Sequence, residues 1–185
     1  MTPGAYVLCR EIASPILNPK HQFIALVPSK LELLSAESQV YGGTRVVVLG
    51  AYNIEGRLRA RRNAESDTRS FESHLNSPQD RTVTIDRIKL QACTIDGDDF
   101  FLQEIYKRFL FFQMWEGNKG EILYPDDVFD QLKSSRFNSN SWAQSLIHWT
   151  SRKAILTLVT KNFPGLDVGH DRLIPEHYFS PPSNF

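Results

Sequence analysis

The 185-residue chain has only two cysteines, Cys9 and Cys93, and no C-x-x-C pair. A disulfide-built scaffold and a cysteine-rich zinc site are excluded on that count, and a reducing compartment fits. Long hydrophobic runs are also missing. The longest aromatic run, Phe109 to Trp115, is interrupted by Gln113, far short of the roughly 20 apolar residues that a helical membrane span needs. No basic leader followed by an apolar stretch opens the chain. The expectation is a cytoplasmic protein, or one exported without a cleaved signal peptide. Neither sign of charge is in excess: 21 Lys+Arg balance 21 Asp+Glu. Nucleic-acid or membrane-surface binding driven by bulk charge is therefore not expected. Internal repeats are absent too. What is present is 41% hydrophobic and 11% aromatic residues, enough for one core, so residues 1–185 read as a single domain.

The chain begins with strand patterns. Ala5 to Ile12 and His21 to Val27 are short apolar-rich runs separated by Pro15 and Asn18-Pro19, which suggests a hairpin. Arg45 to Tyr52 is a third strand, centred on Val46, Val47 and Val48, and it follows Gly42-Gly43. Residues 54–80 are polar, with Arg57, Arg59, Arg61 and Arg62, and read as an exposed insertion that is loop or short helix. Thr82 to Gln91 alternates as a half-buried strand with a bulge near Asp86 to Ile88.

Beyond Asp96, Asp98 and Asp99 the period changes. Phe101, Ile105, Phe109 and Phe112 are spaced by four, four and three residues, as on one face of a helix. The acids sit where a helix N-terminus favours negative charge, and Gly117 and Gly120 mark the other end. Phe101, Phe109 and Phe112 are expected in the core. A second helix starts near Ser139 and carries Trp142, Leu146, Ile147 and Trp149; 154–159 may be read as its continuation or as a separate apolar segment. Pro164, Pro175, Pro181 and Pro182 predict a C-terminal tail, 163–185, lying over the surface. Strands first and helices later is an α+β plan: a small antiparallel sheet packed against two main helices.

The sharpest local feature is Asn138-Ser139-Asn140-Ser141-Trp142 at the head of that second helix. A helix N-terminus offers free N–H groups and positive potential, which stabilise a developing oxyanion. A nucleophile there needs a base within reach. Ser139 is the candidate nucleophile and His21, at a strand end, the candidate base. Asn138 and Asn140 are candidates for fixing the loop, and Trp142 for lining the groove. The same pattern is what an ordinary helix start shows, because Ser and Asn are preferred N-caps.

Three other groups compete. Cys93 with His148 has the order of a conventional papain pair, but the acids after Cys93 would raise its thiol pKa. His170, Asp171 and His177 match no compact zinc pattern, so neither a metal nor another cofactor is expected. Arg57 to Arg62 lacks interleaved aromatics and reads as a solvated face rather than a nucleic-acid surface.

His21-Gln22-Phe23 on an early strand, together with Asn138-Ser139-Asn140-Ser141-Trp142 on a late helix, resembles the circularly permuted papain-like fold. That group includes the permuted NlpC-type hydrolases, the lecithin retinol acyltransferase family and the PPPDE deubiquitinating peptidases. The chain is also similar to an uncharacterised bacterial family with a G-P-N-S-N-T-F signature and an early His-x-[W/F] strand. In that family the Cys position of the signature is already Ser. The resemblance implies a domain in permuted papain-like order, with His21 at the position of the base and Ser139 at that of the nucleophilic Cys. A serine hydroxyl needs a stronger and better aligned base than a thiol does. Asn53, with Glu55 as the lesser choice, is the expected group to orient His21. The resulting expectation is a hydrolase or acyl transferase acting on an amide or ester, peptides included. The alternatives are an inactive relative that binds a peptide or partner protein in the same groove and, more remotely, a delivered bacterial effector.

Overall fold

The computed structural model describes residues 3–12, 20–30, 32–76, 87–89, 98–118, 122–125, 136–150 and 172–180. Strands β1 (Gly4–Glu11) and β2 (Lys20–Val27) pair antiparallel along their whole length, from Gly4↔Val27 to Glu11↔Lys20. This is the hairpin expected from the Pro-bearing break between them. Strand β3 (Gln39–Tyr41) joins β4 (Thr44–Ile54) through Gly42-Gly43, with φ of +52° and +76°. A two-residue hairpin turn of the primed type needs positive φ at both central positions, which glycine adopts without strain.

Strand β5 (Arg57–Arg62) follows, then helix α1 (Glu65–Asn76), strand β6 (Arg87–Lys89), helix α2 (Asp98–Asn118) and helix α3 (Ser139–Thr150). The sheet order is β3-β4-β2-β1-β6, with β5 also paired to β4, and every pairing is antiparallel. The architecture is α+β.

Alternation along the strands divides the core in two, because successive side chains leave a strand on opposite faces. Val7, Cys9, Ile24, Leu26, Val47, Leu49 and Ala51 pack with Phe101, Ile105, Phe109 and Phe112 of α2 and with Trp142, Leu146 and Ile147 of α3. Tyr6, Leu8, Phe23, Ala25, Val46 and Val48 pack with Phe71 of α1 on the other face. Burying each large apolar side chain stabilises the fold by about 1.5–3 kcal/mol, and this is what holds α2 and α3 on the sheet.

The structure differs from the sequence reading in two places. The polar stretch 54–80 is, over its described part, strand β5 and helix α1 rather than an exposed insertion. Leu58 and Ala60 alternate inward between the arginines and are fully buried, so a strand pattern was hidden by long charged side chains. The tail also does more than cover the surface: Ile174 and Phe179 are buried in the α2/α3 core. The expected strand at 82–91 is described only at Arg87–Lys89. The apolar segment 154–159 lies outside the described residues.

Candidate functional site

His21 faces Arg10 directly across the β1–β2 ladder, at the end of the sheet. Its ring turns to the α1 face, stacking on Tyr52 (centroids 5.2 Å apart) and Phe23 (6.2 Å). There it meets Asp67, from the first turn of α1, with His21 Nε2 at 3.1 Å from both carboxylate oxygens. Arg10 Nε donates to Asp67 Oδ1 at 3.0 Å, and the Tyr52 hydroxyl donates to Asp67 Oδ2. Gly50 makes room for this meeting, since a Cβ there would fall 2.2 Å from Asp67 Oδ2.

The electrostatics follow from that geometry. Burial opposes the charged form of Asp67, but His21, Arg10 and Tyr52 outweigh it and hold the carboxyl below its ordinary value. Tyr52 moves the other way: burial, then the adjacent Asp67 charge, pushes its phenol well above the ordinary range. Asp67 is thus a carboxylate, which can only accept, so His21 Nε2 carries the donated hydrogen. A neutral His21 then keeps its basic lone pair on Nδ1, which bonds to no described residue.

The second half of the site is the start of α3. Asn138 is its N-cap: Oδ1 accepts the N–H groups of Asn140 and Ser141, each at 3.0 Å, and Ser141 Oγ accepts the N–H of Asn138 at 3.3 Å. This is a reciprocal capping arrangement that satisfies the orphan donors of the first turn. Asn140 reaches back to the sheet, its Oδ1 accepting the Gln22 N–H at 2.8 Å. The β2–β4 ladder stops at Phe23, so Asn140 supplies a partner one residue beyond it. Gln144 reinforces the link, donating to Gln22 Oε1 at 2.7 Å. Ser139 is 2% exposed, and its hydroxyl donates to Asn140 Oδ1 at 3.4 Å.

The two halves are linked through neighbours across the sheet, the His21 ring lying on the α1 face and α3 packing on the other. Gln22, next to His21, is bonded to Asn140, next to Ser139. No hydrogen bond joins His21 to Ser139 themselves.

Asn53 is not brought to His21. It is exposed, and its Oδ1 accepts the Gly56 N–H at 2.9 Å, closing the β4–β5 turn in which Glu55 and Gly56 have positive φ. Asp67 occupies the place expected for Asn53. Trp142 lines no groove: it is 0% exposed, edge-on to Phe109 and Phe112 in the core. Asn138 and Asn140 are buried and hold the chain to itself. His148 is exposed against Trp149, and His177 is exposed against Trp115. Cys93, His170 and Asp171 lie outside the described residues. Arg59, Arg61 and Arg62 turn to Glu116 and Glu37 of the chain itself. Sequence reasoning missed Asp67, Tyr52 and Arg10. Only Asp67 carried a signal, as an acid in the first turn of a helix.

No protein-family model, no curated protein and no solved structure matches the chain, so its site is described from its own residues.

Proposed function

We propose that the protein is a hydrolase or acyl transferase acting on an amide or ester, with Ser139 as nucleophile, His21 as base and Asp67 as the group that orients His21. The His21–Asp67 contact carries the reading: it occupies Nε2 and leaves Nδ1 as the basic nitrogen, at a residue whose neighbour is bonded to the helix start bearing Ser139. A buried carboxylate holding an imidazole in one tautomer is the orienting half of a nucleophile–base–acid set. The arrangement also suits a domain in permuted papain-like order, with the base on an early strand and the nucleophile on a late helix.

In this reading Ser139 Oγ attacks the carbonyl carbon while His21 Nδ1 takes the hydroxyl proton. The oxyanion forms at the first N–H of α3, that of Ser139, since Asn138 Oδ1 takes those of Asn140 and Ser141. Collapse breaks the bond to the leaving amine or alcohol, which departs with the proton from His21. Water, or an acceptor hydroxyl or amine, then gives its proton to His21 and attacks the acyl-Ser139 ester, releasing the acid or the transferred product.

A second reading is a non-catalytic domain that binds a peptide or partner protein. It is favoured by the burial of Ser139 and by a hydroxyl bonded to Asn140 rather than to His21. A serine-directed fluorophosphonate probe decides between the two. Enzyme chemistry predicts a single adduct on the wild type, absent from Ser139→Ala and slowed on the order of 100-fold or more in His21→Ala. Equal labelling of all three proteins, or none of the wild type under forcing concentrations, overturns the catalytic reading.

A further inference from the structure

The segment 172–180 lies against α2 and α3, and side chains of both helices read its main chain. On α3, Ser145 and Trp149 stand one turn apart on the same face and take both backbone groups of one residue. Ser145 Oγ accepts the Ile174 N–H at 2.7 Å, and Trp149 Nε1 donates to Ile174 O at 2.7 Å. On α2, Arg108 Nη1 donates to Ser180 Oγ at 2.6 Å and to Phe179 O at 3.3 Å, and lies 3.9 Å from the Glu176 carboxylate. Two side chains anchor the segment. Ile174 is 0% and Phe179 1% exposed, and Phe179 stacks on Phe112 with ring centroids 5.0 Å apart. Between the anchors the segment satisfies its own polar groups. Pro175 has no N–H to satisfy and is extended, with φ −54° and ψ 143°. The turn that follows is closed by Tyr178 N–H to Pro175 O and Phe179 N–H to Glu176 O.

Deep apolar anchors at a fixed spacing, with main-chain groups taken up by side chains of the wall, are how a groove holds a peptide ligand. The segment does not fill the groove completely: beside Tyr178 a partly open cleft of about 180 Å³ remains, bordered by Phe112, Trp115 and Ile122. We propose that the groove between α2 and α3 is a peptide-binding surface, closed in cis by residues 172–180. The partner it fits is an extended peptide of the same chemistry: a branched aliphatic residue followed by proline and an acid, with an aromatic at the position of Phe179. Such a partner enters by displacing the chain's own segment. Ser145 and Trp149 lie in later turns of α3 than Ser139, so the inference does not rest on the catalytic reading above.

The probe is a fluorescein-labelled synthetic peptide of residues 172–180, read by anisotropy against the full chain. Wild type is expected to bind it weakly at micromolar concentration, because its own tethered segment competes at an effective concentration on the order of millimolar. Phe179→Leu and Ile174→Ala/Phe179→Ala weaken the competitor and leave the groove walls intact. Each should bind the peptide saturably and about tenfold or more tighter than wild type, the worth of one large apolar anchor. A peptide carrying Ile174→Ala and Phe179→Ala should not bind. Adding Trp149→Phe to either variant removes the donor to Ile174 O and should weaken binding about three- to ten-fold. Phe179→Leu keeps most of the anchor's volume and decides the matter if the double variant does not fold. No binding to folded Phe179→Leu, binding no tighter than to wild type, or equal binding of the anchorless peptide overturns the proposal. Labelling at Ser139 is a separate measurement, so the two readings stand or fall apart.

Discussion

Asp67→Ala is expected to destabilise the fold by about 3–5 kcal/mol at neutral pH, the range for removing one partner of a buried charge pair. Asp67 is the single acceptor on which His21, Arg10 and Tyr52 converge, and its side chain is fully buried. Without it a guanidinium, a phenol and an imidazole keep their burial and lose their partner. Among the described residues Arg10 is left only its 3.4 Å contact with Ser66 Oγ. The deficit depends on pH with a definite sign. The Asp67 pKa in the folded protein is below the ordinary 3.8, so the unfolded chain binds its proton first. The carboxylate then contributes stability above pH 3.8 and loses it as pH falls through the lower, folded value. Denaturant unfolding of wild type and Asp67→Ala should therefore show curves that draw together in acid. A deficit under about 1 kcal/mol at pH 7, or one that is the same at pH 7 and in strong acid, would contradict the role given to Asp67.

Trp142→Ala is expected to cost about 3–5 kcal/mol for a different reason, the cavity left by a large aromatic in a close-packed core. Trp142 sits between Phe109 and Phe112 of α2, with ring centroids at 6.3 and 6.1 Å, and is the contact through which α3 grips α2. Its indole Nε1 is buried and has no hydrogen-bond partner among the described residues. An unpaired buried donor is itself unfavourable. Trp142→Phe removes that donor together with part of the ring, so its loss should be clearly smaller than that of Trp142→Ala. Thermal or denaturant unfolding checks the order. If Phe costs as much as Ala, the orphan N–H is not a liability, and if Ala costs little, Trp142 is not the anchor of α3.

The elements that were legible from residues alone are those in which apolar spacing dominates. The 4-4-3 spacing of Phe101, Ile105, Phe109 and Phe112 announced α2, and all four are buried against the sheet. The Pro break announced the β1–β2 hairpin. Strand β5 was hidden, and helix α1 was left as one alternative to a loop, because their inward positions are small or few, Leu58 and Ala60 in one and Phe71 in the other, among arginines and polar residues. That carried over to the site, since Asp67 lies on this helix and was not singled out. His21 and Ser139 were visible as residue types at a strand end and a helix start. Their partners depend on which strand faces which helix, information that no local pattern holds. Asn53 was chosen because it follows the third strand, but a tight turn takes up its side chain. Trp142 was given to the groove because it follows the Asn-Ser motif. Its ring instead packs edge-on to Phe109 and Phe112, a placement set by which helix faces α3 and not by the motif.

The central claim is that Asp67 makes His21 the base for Ser139, and the labelling rate of Asp67→Asn tests it most directly. The amide keeps the size of the carboxylate but can present a donor to Nε2, which lets the basic lone pair of His21 move away from Nδ1. The account predicts an adduct on Ser139 in both proteins, mapped by peptide mass, forming on the order of 100-fold more slowly in the folded Asp67→Asn variant than in wild type. Equal rates in the two proteins, or an adduct on a residue other than Ser139, would contradict it.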